Sequence, residues 1–552
     1  MGLLMLRCPM TDRNFSTGIH TDMDSIKLMP NTEIAARCPY CGREHTGTPR
    51  EGWVASHSAS KLWGLDDALQ RVLWPRSQRA KEKAVNLTNN RKLWTGVVFA
   101  AVTVLILGSS YAQQGPRGRS SYAPVDITEP FSATLARLSA QKPAVERDHM
   151  VVLNERYDLS NRPATGVTMG RTKPVQEGVR VKLTAGTTWE SLAGMTAEQI
   201  RDGNLFPPGF LPLPHPKHQE GGMVFPRFLI NEIKRQEGRD LTRFDVDFDL
   251  PDHFLPEFPP AIYLNQRSDL GDVSQGQLVT VDNYYQLFNG ILNPKQLEGL
   301  RLLVTPFPQQ QFNQTEDRRS EQPSRGVSCL DCHSNGHTNR ATHLAPDARP
   351  LETRHRINTP TLRGVFIQRL FGSQRALKTI EDFTEFEQRG AYFDGDDVIA
   401  AKKGVNILER GHQVNVMAEF QAMLGFPPAP KLDVLGKLDP SRATPAEQRG
   451  QEIFFGKGQC GICHAAPYYT DNLMHDLKIE RFFKPTMING LWESGDGPIK
   501  TFPLRGIKDS PPYMHDGRLL TLDDTVEFFN LVLGTKFSGN EKHDLVAFLR
   551  AL

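Results

Sequence analysis

Two pentapeptides constrain this chain more than any other feature: "CLDCH" at 329–333 and "CGICH" at 460–464. Each offers two thiols and an imidazole within one short turn. Two thiols at that spacing can add to the two vinyl groups of a haem, and the adjoining imidazole can then ligate the iron from the same side. A zinc ribbon would instead need all four cysteines to converge from distant parts of the chain. We therefore read Cys329, Cys332, Cys460 and Cys463 as covalent attachment points for two haem c groups, with His333 and His464 as proximal ligands. A third pair, "CPYCG" at 38–42, lacks the following histidine.

Each motif sits in a copy of a longer pattern. "LNPKQLEGLRLL" (292–303) parallels "ATPAEQRGQEIF" (443–454). Asn293 and Thr444 stand as N-caps, with Pro294 and Pro445 at the first helical position. Thr444 and Glu447 make a capping box. Gly299 and Gly450 leave room for another helix to cross closely. Downstream, "INTPTLRGV" (357–365) parallels "IKTFPLRGI" (499–507), and "RALKTIEDFTEF" (375–386) parallels "RLLTLDDTVEFF" (518–529). The last helix, "NEKHDLVAFLRAL", places Leu545, Phe548, Leu549 and Leu552 on one face, expected to cross the helix of Gly450 and Phe454. Small helical cytochromes c enclose one haem in this way. The expected fold is mainly α: two tandem cytochrome c-like haem domains, 286–435 and 436–552.

Residues 93–112, "LWTGVVFAAVTVLILGSSYA", are apolar enough to span a bilayer. Arg71, Arg76, Arg79, Lys81, Lys83, Arg91 and Lys92 precede them, and only Arg117 and Arg119 follow nearby. This bias predicts a single transmembrane helix with a cytoplasmic leader, 1–92, and periplasmic haem domains held to the inner membrane. Cleavage after Ala112 would instead release those domains to the periplasm. In the leader, Cys38, Cys41 and His45 offer part of a tetrahedral zinc site, which Cys8 or His57 would have to complete. The net charge of +2 gives no support to nucleic-acid binding. No Walker motif or GxGxxG between a strand and a helix points to nucleotide chemistry.

With "RGQEIFFGKGQCGICH", "PLRGIKDSPPYMHDGRLLTLDDTVEFFN" and "HDLVAFLRAL", the C-terminal part resembles bacterial di-haem cytochrome c peroxidases. That superfamily includes the quinone-cofactor maturation enzymes of methylamine dehydrogenase. "NTPTLRGVFIQRLFGSQRAL" resembles the matching part of their first domain, so the resemblance covers about 290–552. It implies reduction of hydrogen peroxide with electrons from a small donor protein, a cytochrome c or a cupredoxin. It also implies that Arg363 and Arg505 lie near haem propionates, that His515 lies near the second haem, and that a histidine after the first motif is a distal ligand. His343 is favoured for that role and His337 is the alternative.

Three positions depart from the family pattern. Counting from His515 to the family's distal Met or Tyr reaches Phe529, which cannot bond iron. That haem is then five-coordinate, or recruits Met514, Met487, Met474 or His475. The family's bridging tryptophan is replaced by Phe371, a poorer hole carrier. Its peroxidatic glutamate has only Glu385 and Glu387 nearby, both expected on a solvated helix surface.

Residues 113–285 fall outside the resemblance. "FPPGFLPLPHPKH" (206–218) and "DLPDHFLPEFPP" (249–260) exclude long helices there. "GVRVKLTAGTTWESLAGMTAEQI" (178–200) suggests a short strand and a capped helix. The expectation is a largely irregular, Pro-rich segment packed on the haem domains. Rubber oxygenases, distant di-haem relatives, also carry large additions around this core. Three functions remain in view: a peroxidase, a di-haem electron-transfer protein, and an oxygenase or protein-oxidising enzyme whose larger pocket 113–285 would supply.

Overall fold

The computed structural model describes residues 2–21, 34–38, 40–41, 43–48, 53–56, 131–160, 162–170, 173–213, 223–241, 254–306, 327–343, 357–387, 410–485, 487–488, 491–492 and 496–552. The apolar segment 93–112 and His57 lie outside these residues. Among the described residues, no helix is long and apolar enough to cross a membrane. The chain divides into two compact units, 1–111 and 112–552.

The described residues of the first unit form short strands: β1 (Gly2–Arg7), β2 (Asn14–Thr21), β3 (Ile34–Arg37), β4 (Glu44–Gly47) and β5 (Trp53–Ser56). β1 lies between β2 and β5 in an antiparallel sheet, and β3 pairs with β4 as a hairpin.

Helices dominate the second unit. It opens with α1 (Phe131–Arg156), which carries Pro143 inside it. A helix of this length departs from the expectation of a largely irregular 113–285. Its sequence is rich in Ala, Leu, Arg and Glu, whose propensities outweigh one missing backbone donor. After the two-residue strand Arg180–Val181 come two short helices where one was expected, α2 (Trp189–Ala193) and α3 (Ala197–Asp202). Each has its own capping box, Thr188 with Ser191 and Thr196 with Gln199. Gly194 closes the first helix, so the second cap starts a new one. The helix α4 (Arg227–Glu237) ends at Gly238, whose φ of 66° is the left-handed conformation glycine adopts freely.

The two motif-bearing copies have matching skeletons. In the first, α5 (Pro294–Val304) leads to the motif turn α6 (Cys329–Cys332), then α7 (Ile380–Glu387) and α8 (Asn415–Gln421). In the second, α9 (Pro445–Phe455) leads to α10 (Cys460–Cys463), then α11 (Leu522–Leu533) and α12 (Gly539–Ala551). A Cβ on Gly299 would stand 1.9 Å from the Val416 carbonyl oxygen, and one on Gly450 would stand 2.0 Å from that of Asp544. The glycines therefore let α5 cross α8, and α9 cross α12, at backbone contact. Leu545, Phe548, Leu549 and Leu552 are buried at the second crossing as expected.

The segment before the first motif divides between the copies. Phe225, Leu229, Ile233 and Val279 share a core with Leu300, Leu303 and Phe420. Leu153, Tyr157, Phe206 and Phe210 share one with Phe482, Phe528 and Phe548. Polar clamps fix both attachments. Arg239 forks onto Asp331 with two bonds of 2.7 Å. Asp524 accepts from Arg180 Nε at 3.0 Å and from the Val181 amide at 3.1 Å. Burial pushes the Asp524 carboxyl up to about 6 against the pull of Arg180. Arg518 has no exposed surface; it binds Asp516 at 2.9 Å, Asp496 at 2.5 Å and the Phe210 carbonyl at 3.1 Å.

Candidate functional site

Each Cys-x-x-Cys-His folds as a single helical turn with the histidine at its C-cap. The His333 amide donates to the Cys329 carbonyl at 3.0 Å, and the His464 amide donates to that of Cys460 at 2.8 Å. The turn thus presents thiols and imidazole from one element, as the spacing requires. His333 and His464 both line one continuous cavity of about 530 Å³, as do Cys460 and Cys463. The walls are largely apolar: Leu362, Phe371 and Phe383 from the first copy, Phe454, Val526 and Leu545 from the second.

His464 is prepared as a ligand. Its Nδ1 lies 2.9 Å from the Tyr469 carbonyl, which can only accept. Nδ1 therefore carries the proton and Nε2 keeps its lone pair. Burial also lowers the proton affinity of this ring, favouring the neutral form. The Cys460 thiol is pushed up to about 11 by burial.

The residues fit haem at both motifs. Arg363 and Arg505 line the cavity wall. Arg363 is buried; its Nη2 donates to the Ala261 carbonyl at 2.9 Å, while its Nε has no hydrogen-bond partner among the described residues. Burial pulls its proton affinity down, and an anionic carboxylate of the propionate kind would satisfy it. Arg505 donates to the Leu552 carbonyl at 3.2 Å and the Pro427 carbonyl at 3.3 Å, and its guanidinium stands over Phe426.

The candidate distal positions separate clearly. Glu387 is not a solvated surface residue: it lines the cavity beside Phe383 and Phe386, and burial pushes its carboxyl up to about 7. Its side chain is half-buried at the end of α7. Glu385 does not line the cavity. Glu387 is the eighth residue of α7 and Phe529 the eighth of α11, and both face the cavity, so the two are structural counterparts.

Met514, His475 and His515 also line the cavity, whereas Met474 does not. His475 Nε2 donates to Asp471 at 2.7 Å, and His515 Nε2 is 3.7 Å from Asp496. His337 does not fit the distal role considered for it. It is buried, Nε2 donates to the Asp509 carbonyl at 2.7 Å, and Nδ1 accepts from Thr361 Oγ1 at 3.0 Å. With both nitrogens engaged, no lone pair faces the cavity, and burial beside Arg363 holds the ring well below its usual proton affinity. His343 lies on the short strand Thr342–His343, paired with Met223 and Ile357. Met487 lies in a two-stranded hairpin with Trp492. The side chains of His343 and Met487 fall outside the described set.

Sequence reasoning missed Lys500. Its backbone amide donates across the copies to the Ser373 carbonyl at 2.8 Å. Its buried Nζ donates to Gln368 Oε1 at 2.8 Å and the Leu370 carbonyl at 2.7 Å, and lies 5.6 Å from the centre of the Phe371 ring. Burial, then Arg375, pulls the amine down to about 7. The lysine's place beside the "LRG" repeat was the only signal available.

The site thus pairs two thiol-thiol-imidazole turns, one in each of two related helical copies, whose histidines line one cavity. Comparison with known proteins gives the class. The chain is 32% identical over 174 residues to the cytochrome-c peroxidase IdrP2 of Denitromonas iodatirespirans, covering 25% of this chain and 47% of that protein. It is 30% identical over 159 residues to the methylamine utilization protein MauG of Methylorubrum extorquens, covering 26% and 44%. The chain thus spans about half the length of the curated relatives it matches. Among solved structures, a MauG-like protein associated with microbial copper homeostasis aligns with a TM-score of 0.34 and 18% identity, covering 55% of this chain and 95% of that one. No protein-family model matches. The chain resembles the di-haem cytochrome c peroxidases and MauG, as its motifs suggested.

Proposed function

We propose that this chain is a di-haem c-type cytochrome that reduces hydrogen peroxide, taking electrons from a small donor protein, a cytochrome c or a cupredoxin. The observation that carries this reading is the placement of Glu387, a carboxyl with raised proton affinity on the wall of the cavity that His333 and His464 share. When bound, haem c would supply one-electron redox chemistry and an iron position for peroxide. His333 and His464 would hold the two irons, and Cys329, Cys332, Cys460 and Cys463 would fix the two rings. Arg363 and Arg505 would pair with propionates. Glu387 would take the proton from incoming peroxide and return it to the departing oxygen, a task suited to a group titrating near neutrality. Two electrons and two further protons complete the conversion of one peroxide to two waters.

Glu387 separates this reading from a protein that only carries electrons, which needs no acid–base group in the cavity. The cavity lining favours it over an oxygenase whose larger pocket 113–285 would supply. Among the described residues, none of the lining side chains comes from 113–285. We place residues 113–552 in the periplasm, held to the inner membrane through 93–112 or released by cleavage after Ala112.

The test is peroxide consumption by the purified full chain with reduced cytochrome c as donor, together with carbon monoxide binding to the ferrous protein. Turnover with a carbon monoxide-binding haem supports the peroxidase. Two low-spin haems that ignore both peroxide and carbon monoxide would return the reading to electron transfer alone.

A further inference from the structure

The N-terminal unit contains a second set of metal-ligand side chains, independent of the cavity. The turn joining β1 to β2 begins at Cys8, whose amide donates to the Arg13 carbonyl at 2.8 Å. The turn joining β3 to β4 begins at Cys38, whose amide donates to the Arg43 carbonyl at 2.8 Å. Both start Cys-Pro, so two matched turns present a thiol at the same point. The second turn adds Cys41, and β4 adds His45.

The four ligand atoms all lie within 4.8 Å of one another. Cys8 Sγ is 3.6 Å from Cys41 Sγ and 3.3 Å from His45 Nε2, and Cys41 Sγ is 3.0 Å from His45 Nε2. A tetrahedral zinc with bonds of about 2.3 Å to sulfur and about 2.0 Å to nitrogen has edges of roughly 3.5–3.8 Å. The 3.6 Å between Cys8 and Cys41 falls within that range and excludes a disulfide between them, which needs about 2.05 Å, while the 3.3 and 3.0 Å to His45 Nε2 are somewhat shorter than a zinc edge and would open on binding. Three thiols also cannot all be paired with one another.

The packing supports the same conclusion. Among the described residues of this unit, Leu6, Cys8, Phe15 and Cys38 form a hydrophobic cluster, with Cys41 packed against it. Two of its four buried members are therefore cysteines. A cluster half made of thiols is well suited to be held by a metal. The Phe15 ring lies 5.9 Å from that of His45 and shields the imidazole from one side.

We infer that Cys8, Cys38, Cys41 and His45 bind one zinc ion as a closed structural site that holds the N-terminal strands together. Four protein ligands leave no open position, so the site staples and does not catalyse. Three soft thiolates and one imidazole clustered within 4.8 Å of one another select zinc over hard divalent ions. The structure brings in Cys8 as the fourth ligand, one of the two residues the sequence offered for that place.

The test uses the purified full chain, with metals measured by mass spectrometry and the zinc environment by X-ray absorption at the zinc edge, which haem iron does not obscure. The expected result is one zinc per chain, with three sulfur neighbours and one nitrogen. Cys8→Ser should lower zinc content at least tenfold, with iron content unchanged, and His57→Ala should change neither. Should Cys8→Ser fail to accumulate, titration of the unaltered chain with a mercurial should release one zinc as three thiols react. Retention of zinc in Cys8→Ser, its loss in His57→Ala, non-haem iron at the site, or a chain that neither holds nor takes up zinc chloride would each overturn the assignment.

Discussion

The two motif-bearing copies share a backbone plan and differ at one decisive position. In both, a capped helix crosses a partner at a glycine, a four-residue turn presents the motif, and a later helix sends its eighth side chain into the cavity. In the first copy that side chain is Glu387, which can hold or release a proton near neutral pH. In the second it is Phe529, which can do neither and cannot bond a metal. A duplicated frame thus places one side chain per copy on the cavity wall at the same helical position. The residues there set a titratable carboxyl on the first side and an apolar wall on the second.

The strongest way to break this comparison is to empty one copy at a time. Cys329→Ala with Cys332→Ala, or Cys460→Ala with Cys463→Ala, should each remove one covalent haem mass and leave the other, as read by intact-protein mass spectrometry. Loss of both from either double variant would show that the copies cannot be loaded separately. Next in size is Glu387→Gln. Removing a positioned acid–base group should lower peroxide turnover by about 10²–10⁴-fold. In the unaltered chain the rate should rise with pH through about 7, because Glu387 must be deprotonated to accept the proton, and that rise should vanish in the variant. An unchanged pH profile would remove Glu387 from the mechanism.

The shared frame predicts equal fragility at its two crossings. Gly299→Ala and Gly450→Ala each push a methyl group into a carbonyl oxygen about 2 Å away, and each should cost roughly 1–3 kcal/mol or more, seen as a lowered midpoint in denaturant. A large cost in one copy and none in the other would mean that the repeat is only topological. Phe529→Met is a subtler change. It should convert the second haem to a six-coordinate, low-spin form and raise its potential, since a thioether favours the ferrous state. Unchanged spectra would place that side chain away from the iron.

Much of this was legible in the sequence because it depends on local chemistry. The motif turns, the caps at Asn293 and Thr444 and the glycine crossings each follow from spacing within a few residues, and the structure has them all. The counterpart of Phe529 was not legible. Matching "RALKTIEDFTEF" to "RLLTLDDTVEFF" by their arginines sets Phe386 opposite Phe529. The backbone bridges Phe371–Leu377 and Tyr513–Leu519, with helix starts at Ile380 and Leu522, shift the match by one residue and bring Glu387 there. On a helix one residue is about 100° of rotation, enough to turn a surface glutamate into a cavity wall. His337 failed for another reason. Its neighbours Thr361 and Asp509 are distant in sequence, and only the packed copies show that both its nitrogens are spoken for.

Lys500 gives the seam between the copies a dependence on acidity. Its amine joins strand Pro498–Lys500 to the Gln368–Phe371 turn. In the folded chain it gives up its proton near pH 7, whereas a free lysine holds its proton to about 10.4. Between those values the unfolded chain binds the extra proton, so Lys500 lets stability rise with pH across that window. Below it the lysine is charged in both states and the dependence ends. Lys500→Met, which keeps the length and removes the proton, should flatten that part of the stability curve. The joint would then be weakest on the acid side of neutrality, where the buried ammonium must rely on two oxygens and the faces of Phe371 and Phe502.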